Sequence, residues 1–225
     1  MKKKITLISD AHNKHKHLNG DLPGGDILIH SGDISSMGYE HEITEFVKWM
    51  NNLNQYDNKI FIAGNHDKSF DVKYHKSPAD SLWLNDTLAY VKELGIHYLN
   101  DTHITIDGVK FWGSPITPNF GEDYWAFNRS RGDEIRSHWN LISDYTDVVI
   151  THGPPAHILD WCVNGKLVGC QDLTYHIQRV KPKFHFFGHI HESYGIMDSP
   201  DTMFANASIL NERYELVNKP LEFVL

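Results

Sequence analysis

Five short segments of this chain carry residue types that bind metals or move protons. They are Asp10-Ala11-His12, Gly32-Asp33, Gly64-Asn65-His66-Asp67, His152-Gly153-Pro154-Pro155 and Gly188-His189-Ile190-His191. A lone Asp-x-His or His-x-His recurs by chance, so no single segment carries an argument; the set does. Asp10, His12, Asp33, Asn65, His152, His189 and His191 offer carboxylate oxygen, amide oxygen and imidazole nitrogen. That mixture suits Mn, Fe or Zn, and the absence of cysteine among the donors speaks against a structural zinc finger. Seven protein donors exceed what one open tetrahedral ion needs. They suit two divalent ions sharing one bridging carboxylate, and such a pair clamps the attacking and leaving oxygens of an in-line displacement.

The donors must be held by the elements that precede them, and each segment follows an apolar run. Lys4 to Ser9, Asp26 to His30, Lys59 to Ala63, Asp147 to Thr151 and Lys183 to Phe187 read as short buried strands. Between them, Ile43, Phe46, Val47, Met50 and Leu53 recur at helical spacing, with Ser35 or Ser36 as the expected cap. Ala79 to Leu94 and the Leu173, Ile177, Val180 set predict two more helices. Asp107-Gly108 predicts a two-residue hairpin between Thr102–Ile106 and Val109–Trp112. From Tyr194 onward, short strands are expected and no helix. Strands alternate with helices first and dominate later, which predicts an α/β fold with mixed sheets packed between helices. In open α/β sheets, ligands bind beyond the carboxyl ends of the strands. No linker, repeat or low-complexity tract divides the chain, so residues 1–225 are expected to form a single domain.

Composition sets further bounds. The 225 residues include 16 histidines and carry a formal net charge of -8. That balance disfavours binding nucleic acid through bulk charge, although two divalent ions would halve it where phosphate docks. The start, MKKKITLISD, lacks the ~7–15 apolar residues of a secretory signal. No segment approaches the ~20 apolar residues of a membrane span. With only Cys162 and Cys170, a reduced, cytoplasmic protein is expected.

The ordered series D-x-H, G-D, G-N-H-D, H-G and G-H-x-H resembles the calcineurin-like metallophosphoesterases. The resemblance runs from Asp10 to at least His191. It implies a four-layered α-β-β-α sandwich of two mixed sheets. Between the blocks, Phe111 to Pro118 (FWGSPITP), Trp125 to Asn128 (WAFN), His152 to Pro155 (HGPP), Val168 to Cys170 (VGC), His191 to Gly195 (HESYG) and Asn206 to Ser208 (NAS) are similar to the metallophosphoesterase-domain-containing (MPPED) proteins. These are grouped with class III cyclic nucleotide phosphodiesterases. Some relatives in that group carry Gly where this chain has His189, so the resemblance implies a complete site here.

Residue by residue, the resemblance implies that Asp10, His12 and His191 hold a first metal and Asn65, His152 and His189 a second. It makes Asp33 the bridging carboxylate, His66 the general acid for the leaving alkoxide, and Asp67 the carboxylate orienting His66. Manganese is the favoured metal. A hydroxide bridging the two ions would attack phosphorus in line, because metal binding lowers the pKa of water to about 7. Small phosphodiesters are the expected substrates, with cyclic nucleotides the leading class. A phosphomonoesterase or nucleotide pyrophosphatase on the same metal pair, and a non-catalytic scaffold, are the alternatives.

The remaining candidates divide between chemistry and packing. His15 and His17 read as a solvated polar loop. His30, His185, His103 and His176 read as core histidines. Trp125, Phe127, Asn128, Arg129 and Arg131 suit either base stacking with a phosphate or ribose contact or a loop anchored by its aromatics; the resemblance singles out Asn128 as a substrate contact. Asp160-Trp161 and Pro154-Pro155 are expected at the rim of the site.

Overall fold

The computed structural model describes residues 2–121 and 124–225. Its strands are β1 (Lys4–Ile8), β2 (Gly25–Ser31), β3 (Tyr56–Ile62), β4 (Ile96–Tyr98), β5 (Thr102–Ile106), β6 (Val109–Ser114), β7 (Thr117–Pro118), β8 (Asn128–Arg129), β9 (Val148–Thr151), β10 (Phe184–Phe187), β11 (Gly195–Asp198), β12 (Met203–Asn206) and β13 (Leu221–Val224). The α-helices are α1 (Glu40–Asn51), α2 (Pro78–Glu93), α3 (Asp133–Trp139) and α4 (Gln171–Val180). One sheet has the order β13-β1-β2-β3-β4 and the other β11-β12-β10-β9-β6-β5. Parallel pairing runs through β1 to β4 in the first and β6-β9-β10-β12 in the second; β13, β5 and β11 are antiparallel edges.

Alternation along the strands builds the layers. Ile5 and Leu7 of β1, Ile27 and Ile29 of β2, and Ile60 and Ile62 of β3 meet Phe111, Val148, Ile150, Phe184 and Phe186 of the other sheet in one buried cluster. The intervening Ile8, Leu28 and Phe61 point the other way, toward Phe46, Trp49 and Met50 of α1. Trp112, Val149 and Phe187 likewise join Trp139 of α3 with Leu173 and Ile177 of α4. The result is an α-β-β-α sandwich. Each fully buried Ile, Leu or Phe contributes about 1.5–3 kcal/mol, so a one-residue slip that exposes a strand's set is strongly disfavoured.

Parallel pairing has a consequence for function. The carboxyl ends of β1, β2 and β3 share one edge of their sheet, and those of β9 and β10 share one edge of theirs. An isolated parallel bridge between Ser9 and Ser208 joins the two sheets at that edge. Ser9 N–H donates to Ala207 O at 2.9 Å and Ile209 N–H to Ser9 O at 3.1 Å.

Several local expectations are corrected. Helix α1 is capped at Tyr39, whose N–H donates to Glu42 at 2.9 Å, and not at Ser35 or Ser36. Those serines are drawn into the loops at the sheet edge instead. His15 is buried, with its ring 5.6 Å from Phe46 and 5.0 Å from Trp49, while His17 is exposed as expected. His103 is exposed, because β5 is an edge strand. The Asp107-Gly108 turn has positive φ at both residues, 49° and 84°, the geometry of a type I′ hairpin.

Candidate metal centre

The seven predicted donors converge in one cleft at the shared strand edge. Three sets of side chains lie with their ligand atoms within 4.8 Å of one another: Asp10, His12 and His191; Asp33, His152 and His189; and His12, Asp33 and His66. Asp33 belongs to two of these sets. Its Oδ2 lies 3.6 Å from His12 Nε2, 3.3 Å from His152 Nε2 and 4.0 Å from His66 Nε2. Asn65 joins through its Oδ1, 3.0 Å from His152 Nε2. One carboxylate therefore stands between two groups of donors.

The loops reach this geometry through unusual backbone. Asp10, His12, Asp33 and His189 have φ of 54°, 39°, 52° and 71°. A left-handed non-glycine residue costs of order 1–3 kcal/mol and persists where neighbours over-determine it. Here Asp10 N–H donates to Gly32 O, His12 N–H to Asp33 O, and His189 N–H to Asp10 Oδ2 at 2.9 Å. Two motif glycines are explained by close approach. A Cβ on Gly188 would lie 2.1 Å from Asp10 Oδ2, and one on Gly64 would lie 2.3 Å from Asp33 Oδ1.

The histidines are aimed from behind. Their Nδ1 atoms pair with backbone carbonyls: His152 with Ser31 at 3.0 Å, His191 with Asn211 at 2.9 Å, and His66 with Ser36 at 2.6 Å. A carbonyl partner makes Nδ1 the protonated nitrogen and leaves Nε2 of His152 and His191 as the donor to a metal, the arrangement that fixes tautomer and ring orientation in metal sites; at His66 the same contact orients the ring. Asp10 Oδ2 accepts from Ser208 Oγ at 2.7 Å, while its Oδ1 is buried without a hydrogen bond. Both ring nitrogens of buried His12 also lack partners. Orphaned buried polar atoms are costly, and a cation bound between Asp10, His12 and His191 would satisfy Asp10 Oδ1 and one nitrogen of His12. The donor set thus fits divalent ions.

Electrostatics agree. Burial opposes charge on Asp10 and Asp33, yet the facing His191 and His152 hold both carboxyls below their ordinary range. Burial alone would lower His152 and His191, but Asp33 and Asp10 beside them raise each to about 9. Burial dominates at His12, lowered to about 4, and at His189, lowered to about 3.

The expected role of Asp67 needs correction. Its carboxylate makes no hydrogen bond to His66 among the described residues. It accepts from Gly64 N–H at 2.8 Å, Ser35 N–H at 2.9 Å, Ile34 N–H at 3.2 Å and the Ser35 hydroxyl. Burial and the nearby Asp33 push it up to about 7 against these donors. Asp67 therefore ties the Asp33 loop to the Asn65 loop, and the Ser36 carbonyl orients His66.

The cleft holds about 320 Å³ and is lined by Asp33, Asn65, His66, His189 and His191 together with Phe120, Trp125, Glu192, Glu212 and Tyr214. Trp125 lies 4.3 Å from the His66 ring, and Tyr214 meets the rings of His12 and His191 edge-on at 4.9 and 5.1 Å. Tyr214, Phe120 and Glu212 escape a motif search, because they arrive from loops with no local signature. Glu192 and Ser208 had a signal, inside the HESYG and NAS segments. Asn128 does not line this cleft; its Oδ1 accepts from Thr117 Oγ1 at 2.9 Å, and Nδ2 is buried without a partner. Phe127 is core. Asp160 is a buried loop anchor accepting from His157 and Gly169 N–H groups.

Residues 3–193 match the family model described as calcineurin-like phosphoesterase. The chain belongs to that family. Its members are phosphoester hydrolases that use divalent metals. Over 232 residues it is 38% identical to human metallophosphoesterase domain-containing protein 1, covering 97% of this chain and 69% of that protein. Among solved structures, TT1561 of Thermus thermophilus superposes with a TM-score of 0.65 at 12% identity, covering 99% of each chain. Phosphopantetheinyl hydrolase of Mycobacterium tuberculosis does so with a TM-score of 0.59 at 14% identity, covering 94% of this chain and 90% of that one. These two likenesses speak to the fold. No helix among the described residues is long and apolar enough to cross a membrane.

Proposed function

We propose that this protein is a two-metal phosphodiesterase acting on small phosphodiesters, with Mn²⁺ the favoured metal, cyclic nucleotides the leading natural class and the cytoplasm its setting. The observation that carries the reading is Asp33 Oδ2, which faces imidazole nitrogens of both donor groups across 3.3 to 3.6 Å. Two divalent ions held there supply, when bound, a nucleophilic water at neutral pH and compensation for phosphate charge.

The chain's own residues do the rest. His66 is aimed into the cleft by the Ser36 carbonyl and backed by Trp125. It donates the proton that a departing alkoxide needs. Trp125, Phe120 and Tyr214 wall the cleft and offer the ester an aromatic surface. No Lys or Arg is among the described residues lining it, while Glu192 and Glu212 are. A phosphomonoester carries one more negative charge than a diester, so this lining favours the diester over the monoesterase and pyrophosphatase alternatives.

The test is metal analysis of the purified protein, followed by turnover of bis-p-nitrophenyl phosphate and p-nitrophenyl phosphate with added Mn²⁺. Turnover of the diester in preference to the monoester is expected. A metal-loaded protein that hydrolyses neither would refute the reading.

A further inference from the structure

A second cavity opens beside the metal cleft. It holds about 530 Å³ and shares Phe120, His189 and Glu192 with the cleft, so the two adjoin at these residues. Cavities of about 300–1,000 Å³ are typical of ligand sites, and one of about 150 Å³ already accepts a benzene ring. Pro118, Pro154, Leu167, Val168 and Ile190 give it largely apolar walls. Unlike the cleft, it has cationic side chains, Arg131 and Lys166. Arg131 donates to the carbonyls of Gly169 and Val168, both at 2.9 Å. Those bonds hold the guanidinium at the wall, with further N–H groups of its five to offer. Glu192 stands at the junction, its Oε1 accepting from Val163 N–H at 2.8 Å.

We propose that this cavity seats the ester arm that stays on phosphorus, and that this arm is a ring-sized apolar group bearing an acidic substituent which pairs with Arg131 and Lys166. The inference rests on the phosphodiesterase reading and shifts its substrate class from cyclic nucleotides, whose two ester oxygens share one ribose, to open unsymmetrical diesters. Three features carry it. His66 lines the cleft and not this cavity, so the arm that it protonates lies in the cleft and the retained arm here. Its walls remove apolar surface from water. Its cations complement an anion, while Glu192 disfavours placing that anion at the junction. In the reaction, water adds to phosphorus, the bond to the departing oxygen breaks, that oxygen takes a proton, and the retained arm leaves as its monoester.

The test uses the full chain loaded with Mn²⁺ and three p-nitrophenyl diesters whose second arm is methyl, phenyl or 4-carboxyphenyl. The corresponding products, methyl, phenyl and 4-carboxyphenyl phosphate, are titrated calorimetrically as a readout independent of turnover. Burying a ring predicts a rise in kcat/KM and in product affinity of about tenfold from methyl to phenyl. The carboxylate predicts a further gain that Lys166→Glu reverses, changing the carboxyphenyl-to-phenyl ratio by about fivefold for an exposed charge. Leu167→Ser should shrink the phenyl-to-methyl ratio. Equal hydrolysis and equal binding of all three would overturn the cavity assignment and leave the phosphodiesterase reading standing. No hydrolysis, with products still ranked as expected, would overturn the phosphodiesterase reading alone. A ratio indifferent to Lys166→Glu would remove the acidic substituent from the proposal.

Discussion

Two populations of buried histidine occupy this molecule, and they differ in what stands behind the ring. In the metal cleft, His152, His191 and His66 each pair Nδ1 with a backbone carbonyl and present Nε2 to a shared space. In the core, His30 has neither ring nitrogen bonded and packs edge-on to Phe46 at 5.2 Å. His15 is also without partners against Phe46 and Trp49, and His185 has one, the Thr151 hydroxyl at 2.8 Å. Burial is similar in both places, yet carboxylates face only the first population closely. The lesson is that a buried imidazole serves as a ligand where carboxylates face it, even at His12 where no carbonyl stands behind the ring, and as packing where only apolar rings do.

The strongest way to break the contrast is to remove the carboxylate that defines the cleft. Asp33→Ala should cost both ions at once and lower kcat/KM on bis-p-nitrophenyl phosphate by about 10³-fold or more, since two-metal charge stabilisation amounts to several kcal/mol. Metal analysis that still finds two ions per chain would count against a shared role for Asp33. Next comes His66→Ala, which should retain the metals and slow diesters with basic leaving groups by about 10²–10⁴-fold. A leaving-group series decides this one, because p-nitrophenolate needs little protonation and should be slowed least; an equal loss on every ester would make His66 a binding residue.

The core population makes a prediction about acid. Burial lowers His30 and His185 to about 3 and His15 to about 4, against about 6.5 in an unfolded chain. Below pH 6.5 the unfolded state takes up protons that the folded state refuses. The stabilisation is therefore complete above that pH and declines as pH falls toward 4, by up to about 1.4 kcal/mol per pH unit for each histidine. Urea titrations from pH 7.5 to 5 of the metal-free protein and its His30→Leu variant should show this slope, shallower in the variant because the cleft residues His12 and His189 add equally to both; equal slopes would contradict the packing role. The smallest effect sharpens the same point. His30→Leu removes a buried imidazole without partners, so it should raise stability by about 1 kcal/mol and Tm by about 2–4 °C for a chain of this size. Calorimetry checks the shift, and kcat/KM should stay at the wild-type value.

How much of this was legible beforehand varies by element. The strands ending at Ile8, Ser31, Ile62, Thr151 and Phe187 were readable because short apolar runs bounded by Gly and polar residues have few other uses. The hairpin at Asp107-Gly108 was readable because two consecutive positive φ angles favour that pair. His15 was misread as solvated because its neighbours Lys14, Lys16 and His17 are polar, and sequence distance hides Phe46 and Trp49. The resemblance assigns Asp67 to His66, whereas its four donors come from Gly64, Ile34 and Ser35.

By itself, the sequence determined the donor types, their order along the chain and their position after apolar strands. Those properties are local: an Asp or His and the run before it are fixed by covalent neighbourhood. Only the tertiary structure decided that five strand ends converge, because parallel pairing and the Ser9–Ser208 bridge act between residues far apart in the chain. It also decided which nitrogen of His152, His66 and His191 is available, since that depends on carbonyls contributed by Ser31, Ser36 and Asn211. The same holds for the cationic cavity beside the cleft. Arg131 stands in the sequence within an aromatic and basic cluster and Lys166 carries no signal, and only packing brings them together with Phe120 and His189 around one space.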